Sequence, residues 1–180
     1  MISEKEQMGC VEDSEEKQAL YAQLKALEQA GARVNGPEDL EALEREIRHC
    51  TDRLAALIVQ TCIQTCVDSP EQQAKEKELI KSLPGRLRSE GHEMVQIRTL
   101  GGWLIQIQVR YYRQPCHRRS GKRHKGMYAA LMLLGIHERC TPGLAATVSA
   151  WSALLSSFDE VRQVLVEHKA WSWVCRCCAS

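Results

Sequence analysis

Apolar residues recur at helical spacing through the first half of the chain and at every second position in a short central stretch. Leu20, Tyr21, Leu24 and Leu27 form the first helical stripe. Ser14 is its predicted cap, with Glu15 and Glu16 in the first turn, and residues 1–13 are polar and read as frayed. Lys17 stands where a capping box would carry Glu or Gln. Gly31 and Asn35-Gly36 stop the helix. Pro37, Glu38 and Asp39 open the next one, acids toward the positive end of its dipole. Leu40, Leu43, Ile47, Cys50, Leu54, Leu57 and Thr61 then alternate steps of three and four, the a/d rhythm of a coiled coil. Asp68-Ser69-Pro70 ends it, a more polar helix follows from 71 to about 83, and Pro84-Gly85 punctuates the chain again.

From Glu93 the period changes to two. Val95 and Ile97 alternate with Gln96 and Arg98, Gly101-Gly102 signals a hairpin, and Ile105, Ile107, Val109 and Tyr111 alternate with Gln106, Gln108, Arg110 and Tyr112. That is a ribbon with one apolar face. Residues 114–126 read as loop, and 128–134 as a short helix stopped by Gly135. Thr141-Pro142 opens a helix whose predicted buried stripe is Leu144, Val148, Trp151, Leu154 and Leu155. Ser156 or Ser157 caps a further helix with Phe158, Val161, Val164 and Leu165 inward. The expected fold is α+β and mainly α. A helical hairpin or coiled-coil dimerisation segment occupies 1–84, a β-hairpin, basic loop and helix-turn-helix-like module occupies 93–169, and an aberrant tail occupies 170–180.

A length of 180 residues allows one domain plus an appendage, and a single Phe leaves the core mostly aliphatic. The net charge of +1 conceals an asymmetry. Residues 1–90 carry 12 Lys and Arg against 18 Asp and Glu, and residues 91–180 carry 12 against 5. An acidic assembly half joined to a basic nucleic-acid half fits that division. Residues 1–10 lack an apolar signal core, and no run of 18 apolar residues occurs, so a cytoplasmic chain with reduced thiols is expected, with no membrane partner. Cys62 and Cys66 read as small core or interface hydrophobes. Cys116, His117, His124 and Cys140 lack the paired spacing of a zinc site, and Cys175, Cys177 and Cys178 lie in a tail without periodicity, so no metal is expected.

The densest charge is Arg110, Arg113, His117, Arg118, Arg119, Lys122, Arg123, His124 and Lys125, with no acid among them. Such side chains on a Gly/Ser-containing loop suit phosphate contacts and counterion release, which give affinity without sequence choice. The same composition also suits a solvated loop with no partner. Tyr111 or Tyr112 can stack on a base or bond to phosphate at its edge. No nucleophile elbow and no phosphate-binding Gly loop is present. After Glu93 the only acids are Glu138, Asp159, Glu160 and Glu167, none following a strand core, so no enzyme, cofactor or small-molecule substrate is expected.

Arg110-Tyr111-Tyr112-Arg113, Lys125-Gly126-Met127-Tyr128, Leu133-Leu134-Gly135-Ile136, Thr141-Pro142-Gly143-Leu144-Ala145 and Ser157-Phe158-Asp159-Glu160-Val161-Arg162 with Leu165 stand in one order. That order resembles the N-terminal region of bacterial insertion-sequence transposases of the acidic-triad (DDE) class, over roughly 95–165. The resemblance implies a helical N-terminal segment, multimers that bridge two DNA ends, and a helix-turn-helix-like module ahead of a metal-dependent catalytic domain. In that module 141–155 would be the supporting helix and 157–169 the reader, offering Arg162, Gln163, His168 and Lys169; alternatively the reader is a third helix whose place the tail has taken, and specificity is lost while phosphate affinity remains. Two departures stand out. Met127-Tyr128-Ala129 lacks the Pro that the resembled block carries after its Tyr, and the carboxylates of the catalytic domain are missing. The run from Ala170 to Ser180 alternates Trp, Cys, Arg and Ala as GC-rich codons do when read out of frame, so a frameshift or premature stop near residue 170 is expected. The reading is a DNA-binding, non-catalytic transposase part that forms homo-oligomers through its N-terminal helices. Its phosphate contacts would be Arg110, Arg113, Arg118, Arg119, Lys122, Arg123, Lys125, Arg162 and Lys169. The alternative is a helical protein-interaction module with a basic loop.

Overall fold

The structure, a computed structural model, describes residues 4–84, 86–114, 126–155, 157, 159–161 and 163, without the side chains of 4–14 and Arg33. It is mainly helical with one small antiparallel sheet, the expected α+β class. The elements are α1 (Glu4–Ala30), a 3-10 turn (Gly31–Arg33), α2 (Pro37–Asp68), α3 (Pro70–Ser82), β1 (Arg88–Arg98), β2 (Leu104–Arg113), α4 (Ala129–Leu133) and α5 (Pro142–Leu154). They group into two compact units, Met1–Val59 and Gln60–Ser180, with the division inside α2.

In the first unit α1 and the start of α2 are antiparallel neighbours across a short connection. Arg53 Nε donates to Glu16 Oε1 at 2.7 Å, and Leu27, Cys50, Leu54 and Leu57 are buried. Two expectations are corrected. α1 begins at Glu4 rather than Ser14, because Glu, Lys, Gln and Met are strong helix formers even without an apolar stripe. The a/d stripe of α2 is not buried throughout. Leu40 is 48% and Ile47 37% exposed, and Tyr21 and Ile58 also face solvent.

In the second unit Ser69 makes the break between α2 and α3. Its hydroxyl donates to the Cys66 carbonyl at 2.8 Å and accepts the Gln72 N–H at 3.2 Å, while Pro70 fills the first helical position. Cys62 and Cys66 are exposed, so the expected core role fails for both. α3 packs on α4, and α4 on β2. Val95, Ile97, Ile105, Ile107 and Val109 form the apolar face of the ribbon, each at most 2% exposed. The ribbon turns at 99–103, where the Thr99 N–H donates to the Trp103 carbonyl at 3.1 Å and Gly102 takes φ +76°.

β2 has the expected bounds, but β1 starts at Arg88, five residues before the alternation. A bulge between Ser89 and Gly91 breaks the period, and Gly91 sits at φ +114°. α4 closes with Gly135 at φ +67°, its N–H on the Met132 carbonyl and the Ile136 N–H on the Leu131 carbonyl, a Schellman pair. In α5, Leu144 is buried against Val161, with Cys140, Val148, Trp151 and Leu155 around them. Leu154 is 75% exposed and leaves the predicted stripe, since it lies about 80° around the helix from the line of Leu144, Val148 and Trp151. Ser157 is the cap of the following turn, accepting the Glu160 N–H on its hydroxyl at 3.2 Å and the Val161 N–H on its carbonyl at 3.2 Å. Phe158, Val164 and Leu165 lie outside the residues whose side chains are described.

Candidate nucleic-acid interface

β2 ends in Arg110-Tyr111-Tyr112-Arg113, and alternation sends the two tyrosines to opposite faces. Tyr112 is 6% exposed and lies by Glu76 of α3. Burial pushes its hydroxyl pKa up, the Arg110 side chain bonded to it pulls the other way, and the Glu76 carboxylate raises it. Glu76 is itself 4% exposed, and its Oε1 has no partner among the described residues.

Tyr111 is half-buried at the end of the apolar face. Its ring centroid lies 5.1 Å from that of Tyr128 at 47°, a tilted aromatic pair. The Gly126 backbone lies against the Tyr111 ring and leaves no room for a Cβ there. The Tyr128 hydroxyl donates to Glu93 Oε2 at 2.6 Å. That bond, then burial, holds its proton until a pKa of about 12.

The Tyr112 N–H donates to the Met127 carbonyl at 2.9 Å, and the Met127 N–H returns to the Tyr112 carbonyl at 2.8 Å. This isolated bridge fastens together the two ends of the basic segment. Whatever path the chain takes between them, it leaves and returns at one place. From Met94 to His137 the sequence holds no acid, so the segment itself carries charge of one sign, while Glu76, Glu90 and Glu93 from earlier in the chain meet its root at Tyr112, Arg113 and Tyr128.

Of the predicted contacts, Arg110 and Arg113 are described. Both are partly exposed, and Arg113 Nη1 lies 3.7 Å from Glu90 Oε2. Arg118, Arg119, Lys122, Arg123, Lys125, Arg162 and Lys169 lie outside the residues whose side chains are described. Two further cations belong to the neighbourhood and were not read from the sequence. Exposed Arg88 is the register partner of Arg113, and exposed Arg139 is close enough to Tyr128 to act on its titration. Arg88 was hidden because the bulge masks the start of β1. Nothing in the local pattern tied Arg139 to Tyr128.

Among the described residues no three His, Cys, Asp or Glu side chains gather as a metal site requires. No described helix is long and apolar enough to cross a membrane. No protein-family model, curated protein or solved structure matches the chain.

Proposed function

We propose that this chain binds DNA through its phosphates, as the non-catalytic N-terminal part of an insertion-sequence transposase. One observation carries the reading. The bridge between Tyr112 and Met127 roots an acid-free segment bearing Arg113, Arg118, Arg119, Lys122, Arg123 and Lys125 beside Arg88 and Arg110. Cations gathered on a tethered segment release counterions from a polyanion without requiring any one loop conformation. Half-exposed Tyr111 and Tyr128 at the same root can stack on a splayed base. Arg162 and Lys169, later in the sequence, are proposed as further phosphate contacts. DNA transposition would then need its catalytic carboxylates from elsewhere.

The test is duplex DNA affinity of the purified chain as a function of salt. Log K should fall linearly with log salt. Replacing Arg118, Arg119, Lys122 and Arg123 together with Ala should lower the slope by as much as about 3.6. An unchanged slope removes the segment from the site.

Self-association through the N-terminal helices belongs to the same proposal. Leu40 and Ile47 leave part of the a/d stripe of α2 uncovered, and Tyr21 and Ile58 add exposed apolar surface in the same unit. Leu40→Lys with Ile47→Lys should shift the sedimenting mass toward the monomer. Retention on neither DNA nor heparin, with association intact, would favour the helical interaction module instead. The setting proposed is the cytoplasm, which suits the reduced thiols of Cys50, Cys62 and Cys66.

A further inference from the structure

The two edges of the β-ribbon are treated differently. On the outer edge of β2, the Gln106 N–H donates to Gln60 Oε1 at 3.2 Å and the Gln108 N–H to Gln64 Oε1 at 2.8 Å, while Gln64 Nε2 donates to the Gln108 carbonyl at 3.2 Å. Tyr112 on the same edge is bonded to Met127. No run of that edge is left for another strand. In the register of the pair, Gln106 faces Gln96, Gln108 faces Met94 and Arg110 faces His92. Antiparallel geometry therefore turns the N–H and C=O groups of His92, Met94 and Gln96 away from β2. Arg98, the next outward position, is bonded to the Arg139 carbonyl at 2.7 Å and to the Thr141 N–H at 2.9 Å. The groups of His92, Met94 and Gln96 have no hydrogen-bond partner among the described residues, and all three are exposed. The open run is bounded by that bridge on one side and by the bulge at Gly91 on the other.

We infer that a second copy of this chain docks here, β1 against β1 in antiparallel sense about a two-fold axis at Met94, making one four-stranded sheet. The length of the open run and its self-complementarity select this occupant over an arbitrary peptide. Pairing Met94 with Met94 pairs His92 with Gln96 on both sides, so every open N–H and C=O meets an open partner and none meets a blocked one. Met94, 62% exposed, then covers its own copy at the centre. A ribbon of two strands is marginal by itself, and only this direction of growth is available. The interface would form whether or not the chain meets DNA.

The test is amide hydrogen exchange of the full chain at low and high protein concentration, with sedimentation equilibrium. The amides of His92, Met94 and Gln96 should slow at least about tenfold as concentration rises, the response of backbone groups that gain partners on association. Met94→Pro deletes one outward donor and leaves the ladder to β2 intact, and Met94→Lys sets like charges across the axis. Each should abolish the slowing at Gln96 and His92 while circular dichroism stays unchanged. Fast exchange at every concentration overturns the proposal. Slow exchange at every concentration also overturns it, since the occupant would then lie within the chain. Slowing produced only by an added unrelated extended peptide overturns it too.

Discussion

Gln64 holds Gln108 by both ends of one amide, with Oε1 2.8 Å from the Gln108 nitrogen and Nε2 3.2 Å from its carbonyl oxygen. The side chain stands in for a neighbouring strand. Gln60, four residues earlier, does the same for the Gln106 N–H. The match is geometric. Four helical residues advance about 6 Å and two strand residues about 6.7 Å, so i and i+4 on α2 meet i and i+2 on β2. Gln64→Leu leaves both Gln108 groups without partners and should cost about 1–3 kcal/mol in urea unfolding. A loss below about 0.5 kcal/mol, the scale of an ordinary surface substitution, would mean that water replaces the amide without penalty.

The clamp also marks where sequence reading stops. Both ends of β2, the start of α2 at Pro37 and its end at Asp68-Ser69-Pro70, and the opening of α5 at Thr141-Pro142 follow from local pattern, because period, Pro and caps act over a few residues. Gln60 and Gln64 look like ordinary solvated positions until the strand they serve is beside them. α3 reads as a continuation of the N-terminal helices, yet it belongs with α4 and carries Glu76 into contact with Tyr112. A buried carboxylate on a polar helix has no sequence signature. At the candidate site the charge was legible in the run itself, while the convergence of its ends depends on the Tyr112–Met127 bridge, which no spacing announces.

The turn from His137 to Cys140 is under strain. Glu138 and Arg139 take φ +48° and +61°, and the Cys140 N–H donates to the His137 carbonyl at 2.8 Å, the form of a type I′ turn. Such turns favour Asn-Gly, and a side chain in the left-handed region costs roughly 1–2 kcal/mol. Glu138→Asn with Arg139→Gly should therefore raise the unfolding free energy by about 1–2 kcal/mol, since the Arg139 carbonyl that accepts from Arg98 is retained. Differential scanning calorimetry reads it directly. A lower melting temperature would show that the two side chains make contacts that outweigh the strain.

Tyr128 gives a pH signature. Its proton is held to a pKa of about 12 because the hydroxyl donates it to the Glu93 carboxylate, with burial and then the repulsion between a phenolate and that carboxylate adding to the effect. The unfolded phenol titrates near 10. Between those values the unfolded chain gives up a proton that the folded chain keeps, so the contribution is complete below pH 10 and is lost as pH rises toward 12. Tyr128→Phe should make the alkaline fall in stability shallower than in the native chain. Parallel curves for the two proteins would remove the Glu93 bond as the cause.

Leu144 and Leu154 separate the two faces of α5. Leu144 is fully buried against Val161, and Leu154 is 75% exposed. Leu144→Ala should cost about 2–5 kcal/mol, the range for a truncated core leucine. Leu154→Glu should stay within about 0.5 kcal/mol. A large cost for Leu154→Glu would assign that side chain a partner among the residues beyond 155.

Arg88 tests whether the DNA-binding surface extends from the basic segment onto the sheet. It pairs in register with Arg113, whose own charge is only partly met by Glu90 at 3.7 Å. Two arginines side by side repel each other weakly in the free chain and are relieved by a phosphate placed between them. Arg88→Ala should weaken binding to all duplex sequences alike and lower the salt slope by about 1. Arg45→Ala, in the first unit and paired with Glu41 at 2.6 Å, should leave the slope unchanged. Equal slopes for Arg88→Ala and the native chain would confine the phosphate contacts to the segment beyond Arg113. A reduced slope for Arg45→Ala would bring the helical hairpin into the interface.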